Sequence, residues 1–315
     1  LATEEAVSTF AHEVVHALQD ADYDLLALDE KWASGLDAIL ALDGVIEGEA
    51  VLYQNLFTLE LAGIPTAAID WEGYFTEWRA ESLTAGELDE APVTMANVRF
   101  PYAFGGGFVT QYYLEGERAA VDALIDAPPR STREVMFGRR ELNPYVEPDF
   151  WEKAFPELGG AFEIVSSTPL GSWITRMHAA RMGVPLSERL QAPRDLAIDA
   201  FTVLSDQETG QLVAAWRARM EYGVSPTTFP GMGSTRFASG TDGPTDAVFV
   251  ASDPPLPVSE PRFLAWGPFP EEEGADEEAA ASVASVLTAP LWMRPHGVRH
   301  CDARIPSPLN YRREP

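Results

Sequence analysis

Two histidines one helical turn apart, set in an otherwise apolar stretch, constrain this chain more than any other feature. They stand in His12-Glu13-Val14-Val15-His16. The surrounding residues 3–19 predict a helix. Thr3 suits the N-cap, Glu4 and Glu5 suit the positive end of the helix dipole, and apolar Val7, Phe10, Val14 and Leu18 recur at helical spacing. At 3.6 residues per turn, positions i and i+4 share one face. An apolar helix has little reason to carry two imidazoles and a carboxylate unless a ligand lies between them. Two imidazoles so placed can reach one zinc ion at about 2.0–2.1 Å. Glu13, about a third of a turn away, is poorly placed as a third ligand but can take a proton from a water at that site. With 5 histidines in 315 residues, a chance HExxH is roughly a one-in-a-hundred event.

A zinc site needs a third protein ligand. Residues 34–62 predict a second long helix, stopped by Gly63 and Pro65. It carries Ile46-Glu47-Gly48-Glu49-Ala50, so Glu47 and Glu49 are the candidates. Glu47 shares a helical face with Leu36, Leu40, Asp43, Ala50 and Gln54, whereas Glu49 falls with Leu42, Val45 and Leu52. Gly48 leaves the room that a neighbouring backbone or a metal site needs. Asp43, one turn before Glu47, is either a partner of a ligand histidine or an exposed acid.

These two motifs resemble those of gluzincin metallopeptidases, in which HExxH is followed on a later helix by a glutamate ligand. Glu47-Gly48-Glu49-Ala50 looks like the E-G-x-A of zinc aminopeptidases, and that favours Glu47. The interval from His16 is longer here, and Val51 stands where a thermolysin-like aspartate would be. A closer resemblance is to a group of bacterial and archaeal metallopeptidase-like proteins. It is carried by His12 to Asp20, Ala41 to Ala50, Phe108-Val109-Thr110-Gln111-Tyr112-Tyr113 and Pro128-Pro129-Arg130-Ser131-Thr132-Arg133-Glu134, and it spans about residues 1 to 222. That group often continues with a His-Pro pair and a Lys-Tyr, where this chain has Phe137-Gly138-Arg139-Arg140. The resemblance implies zinc (Zn2+) held by His12, His16 and Glu47, Glu13 as general base, and hydrolysis of a peptide or protein substrate. Tyr113 is the candidate oxyanion donor it points to, against the plainer reading of a packed tyrosine. The departure at 137–140 leaves a second expectation: a non-catalytic binding or assembly protein that keeps the zincin fold.

The rest of the chain supports an α+β fold, mainly α. A zincin-like helical core is expected at 1–222 and a Pro/Gly-rich, partly β extension packed on it at 223–315. Within the core, 21–33 reads as a connection and 71–90 as partly helical. Helices are expected at 108–125, 159–182 and 207–222, with a strand at 196–204. In the extension, a strand at 247–251 pairs with 263–266, and the acidic tract 271–278 leads into a short alanine-rich helix. Ser131-Thr132 reads as a helix cap. His178 reads as an ordinary core or surface histidine. His296, His300 and Cys301 form a weaker candidate metal cluster, and Gly105 to Gly107 lack the spacing of a phosphate-binding loop.

A net charge of −27 would repel nucleic-acid backbones and anionic membrane surfaces. No run of 18 apolar residues exists to span a membrane. Cys301 stands alone, so it either bonds another chain or remains a free thiol. The first helix leads straight to the metal motif, which raises the expectation of a preceding N-terminal segment or a partner chain, and of a place at the cell envelope or exterior.

Overall fold

A computed structural model describes residues 4–32, 35–85, 92–138, 162–181, 191–208, 212–220, 245–252 and 307–312. The chain divides into two compact units, Leu1–Arg139 with Ala289–Pro315, and Arg140–Thr288. That division falls well before the change of texture at 222. The fold is mainly helical with a small sheet.

The first unit is built around one helix that is apolar on nearly every side. Helix α3 (Leu36–Leu61) buries Leu40, Leu42, Val45, Val51, Leu52 and Leu59 almost completely. A helix with no solvent face must be surrounded, and α3 is flanked by α1 (Glu4–Tyr23), α2 (Leu25–Trp32) and α6 (Gly106–Asp126). Helix α4 (Trp71–Ala85) adds an aromatic cluster of Trp71, Tyr74, Phe75 and Trp78. Tyr311 of the short 3-10 turn Pro308–Tyr311 packs edge-on against Tyr74 at 5.2 Å.

Between α5 (Pro92–Phe100) and α6 the chain stays helical through a π-helical segment, Pro101–Gly105. Proline inside a helix removes one ladder hydrogen bond and crowds the preceding turn, and a π-turn is one way to absorb that. The segment lies against α3 through glycine. A Cβ on Gly48 would stand 2.5 Å from the Gly105 carbonyl oxygen. Here Gly48 serves the close backbone approach expected of it.

Three local expectations are corrected. Residues 21–33 hold α2 rather than a connection. Asp24 adopts a left-handed conformation (φ 52°), and its carboxylate caps the new helix by accepting from the Ala27 amide at 3.1 Å. Residues 162–168, taken for helix, form strand β1 (Phe162–Thr168). Residues 207–222, also taken for helix, contain β3 (Leu212–Met220). Alanine and arginine make β3 look helical, but it pairs on both edges within an antiparallel sheet, and this pairing overrides its propensity. The strand expected at 196–204 is β2 (Leu196–Asp206), and that at 247–251 is β4 (Thr245–Ser252). The buried Asp199 carboxylate on β2 accepts the amides of Leu170 and Gly171, at 2.8 and 3.1 Å, where the helix Gly171–Arg181 begins. Ser131 caps α7 (Thr132–Phe137) by accepting from the Glu134 amide at 3.3 Å. The segments 263–266 and 271–278, and His296, His300 and Cys301, lie outside the described residues, as does the His178 side chain. Among the described residues no helix is long and apolar enough to cross a membrane.

Candidate metal centre

Helix α1 is polar where it meets α3. It buries His12 and Gln19 there, while Phe10 and Leu18 are 69% and 59% exposed. The apolar spacing of Phe10, Val14 and Leu18 makes a helix, but it does not mark the core face. What α1 brings to α3 is a set of donors and acceptors.

Three of these converge. His12 Nε2 lies 3.1 Å from Glu47 Oε2, His16 Nε2 lies 3.3 Å from the same oxygen, and the two Nε2 atoms are 3.1 Å apart. Ligand atoms about 2.1 Å from one ion at tetrahedral angles would lie roughly 3.4 Å apart, so the triangle has nearly the size that one zinc-like ion requires. Among the described residues, His12, His16 and Glu47 form a group able to hold a metal. The donor set, two imidazole nitrogens and a carboxylate oxygen, suits a first-row divalent ion. His12 is buried, whereas Glu47 and His16 retain partial exposure, so the group opens to solvent on their side.

The surroundings hold the imidazoles from behind. His12 Nδ1 is 3.0 Å from Gln54 Oε1, and His16 Nδ1 is 2.8 Å from Gln19 Oε1. With Nδ1 so engaged, each ring turns Nε2 toward Glu47, the arrangement expected of metal-binding histidines. Burial alone would push the Glu47 pKa up, but hydrogen bonds from both imidazoles and their charge bring it down to about 2. Burial lowers the His16 pKa, yet the bond and charge of Glu47 outweigh it and leave the net shift upward.

Glu49 settles into a different role. It is buried, and its Oε2 accepts from Gln19 Nε2 at 2.8 Å, so it braces the glutamine behind His16. Glu47, not Glu49, joins the histidines. Asp43 lies within electrostatic reach of Glu47 and bonds neither histidine. Its Oδ2 is buried without a hydrogen-bond partner among the described residues. Glu13 is exposed, and its charge is felt at His16 and at Tyr102.

Tyr102, on the π-helical segment, is a neighbour the sequence did not reveal. Its ring stacks on His12 at 5.9 Å, and its phenol lies within electrostatic reach of Glu47. Burial, then the Glu47 charge, raises its pKa, so it stays protonated. Tyr113 rests edge-on against Tyr53 at 6.5 Å, and no hydrogen bond among the described residues joins it to the triad. The triple glycine hinted at a close approach, but a π-turn leaves no readable period, so the direction of Tyr102 was hidden. No protein-family profile, curated protein or solved structure matches this chain.

Proposed function

We propose that this chain is a zinc-dependent metallopeptidase of gluzincin type. The observation that carries the reading is the convergence of His12 Nε2, His16 Nε2 and Glu47 Oε2 within 3.1–3.3 Å, with both Nδ1 atoms tied back to glutamine. Three Lewis bases turned toward one point need positive charge among them, either a shared proton or a metal cation. Two nitrogens and one carboxylate match a catalytic zinc set, which keeps a further position open.

Zinc held there would supply a Lewis acid for the peptide carbonyl and lower the pKa of water at the site. The protein groups do the rest. Glu13, next to His12 in sequence and open to solvent, takes a proton from the attacking water and returns it to the leaving amine. The protonated phenol of Tyr102 is better placed than Tyr113 to donate to the developing oxyanion, because it already lies against His12 and Glu47. His12, buried under that ring, keeps its geometry, while the exposed side of His16 and Glu47 admits substrate.

The test is metal content combined with one substitution. About one zinc per chain is expected, and Glu13→Gln should retain it while abolishing cleavage of casein or a peptide library. Zinc at full occupancy with no Glu13-dependent cleavage would favour the non-catalytic binding protein instead. A folded chain that takes up no zinc would end the enzyme reading.

A further inference from the structure

Helix α1 turns its polar side inward and leaves an apolar seam outside. Toward α3 it buries His12 and Gln19. The opposite side carries Phe10, Val14, Ala17, Leu18 and Ala21, all exposed, with Val7 partly so. Val7, Phe10, Val14, Ala17 and Ala21 follow one another at alternating intervals of three and four residues, the a and d spacing of a heptad seam. In that frame Ala11 and Leu18 stand at e, and Glu13 and Asp20 both stand at g. An ordinary amphipathic helix buries such a seam against its own domain. Among the described residues nothing covers this one, and a continuous exposed apolar strip of this kind marks an interaction surface.

Charge decides the occupant. Helix α1 carries no lysine or arginine. Exposed Glu13 and Asp20 line one edge of the seam. Farther round the other side, Asp22 is exposed and pairs with Arg118 Nη2 at 3.7 Å. If two copies met antiparallel, g would face g, and Glu13 and Asp20 of each would confront the same acids of the other. If they met in parallel, g would face e, and those carboxylates would press on Ala11 and Leu18. Neither pairing supplies a counter-charge, and each chain carries a net −27. An anionic lipid surface meets the same repulsion. A helix that is apolar at a and d and basic where it faces Glu13 and Asp20 satisfies both the seam and its rim.

We propose that the outer face of α1 docks an amphipathic, cationic helix of a partner chain in a short coiled coil. From Val7 to Ala21 the seam runs about 22 Å. None of its residues belongs to the metal group, so the proposal stands apart from the zinc reading.

The experiment uses the full chain with chelator present. The probe is a labelled helical peptide of about three heptads, with leucine at a and d and lysine at e and g. Its binding is followed by fluorescence anisotropy, beside the same peptide with glutamate at e and g and a scrambled lysine peptide that has lost the seam. The lysine peptide should bind at least about tenfold more tightly than either control. Phe10→Ser and Leu18→Ser should each weaken it about tenfold and leave the scrambled peptide unaffected. Asp20→Lys should weaken the lysine peptide and improve the glutamate one, and it decides the matter if the serine variants fail to fold. Equal binding of the lysine and glutamate peptides, or folded serine variants that bind as wild type does, overturns the proposal. So does a dimer in analytical ultracentrifugation that Phe10→Ser dissolves, which would make the occupant a second copy. Binding to phosphatidylglycerol vesicles that needs Phe10, without binding of the lysine peptide, overturns it in favour of a lipid surface.

Discussion

Gly48 of α3 stands against Gly105 of the π-helical segment with no room for a side chain between them. A Cβ on Gly48 would lie 2.5 Å from the Gly105 carbonyl oxygen and 2.8 Å from a Val109 methyl. The obstacle is backbone, which cannot swing aside as a side chain does. Gly48→Ala should therefore cost about 1–3 kcal/mol by overpacking, despite the better helix propensity of alanine. Because the displaced segment carries Tyr102 and the substituted helix carries Glu47, zinc affinity should drop as well. Denaturant melts and a zinc titration check this. An alanine variant as stable as wild type would mean that the two backbones do not meet.

The inverted polarity of α1 makes a second prediction. Phe10 and Leu18 obey helical spacing yet face solvent, while polar Gln19 is buried. Phe10→Ser and Leu18→Ser should each leave stability within about 0.5 kcal/mol of wild type, as surface changes do. Gln19→Ala should be the costly change on this helix, at about 1–3 kcal/mol, because it leaves Glu49 and the Ile46 carbonyl without their partner. Thermal melts of the three variants would settle the order. If both serine variants proved severely destabilised, the buried face of α1 would have been assigned wrongly.

The same helix shows how far a sequence can be read. The His12–His16 pair follows from helix geometry, because positions i and i+4 share one face, whereas the next helix offered both Glu47 and Glu49 and the resemblance to zinc aminopeptidases favoured Glu47. Gln54 lies on the face of Glu47 by the same rule. The second histidine's support, Gln19, is three residues past His16, within reach on the same helix. Tyr102 was not legible, since its placement comes from a π-turn that breaks the 3.6 period. Strand β3 was misread because alanine and arginine favour helix locally, and only pairing with both neighbours makes it a strand.

Asp43 offers a prediction with a definite sign. Its Oδ2 is buried without a partner among the described residues, and burial, followed by the charges of Glu47 and Asp29, holds its pKa well above the ordinary 3.8. An acid with a raised folded pKa favours the fold while protonated and loses that advantage as pH rises from its unfolded value through its folded one. Asp43→Asn removes the charge, so it should stabilise the protein at pH 8 by an amount on the order of 1 kcal/mol. The gain should vanish below about pH 4, where the native carboxyl is neutral in both states. Melting curves across that range are the measurement, and a variant less stable than wild type at pH 8 would show that the charge at this position is compensated.

Metal loading should reverse the pH dependence of the first unit. In the metal-free chain, Glu47 has its pKa lowered to about 2 and His16 has its pKa raised above 6.5. A depressed carboxylate contributes stability above its ordinary value of 4.5 and loses it as pH falls toward 2. A raised imidazole contributes below 6.5 and loses it as pH climbs through its folded value. Both contributions are therefore present together between about pH 4.5 and 6.5, where the chelated protein should gain most from this pair. A metal needs the same Nε2 lone pair that the proton occupies, so zinc must displace that proton to bind. The zinc-induced stabilisation, seen as a rise in Tm, should be small at pH 5 and grow toward pH 8, reaching about 2.7 kcal/mol when free zinc is a hundredfold above Kd. Paired melts with zinc and with chelator, taken at each pH, give that difference directly. A zinc effect that is flat or larger in acid would remove His16 from the ligand set, because no proton would then be competing for it.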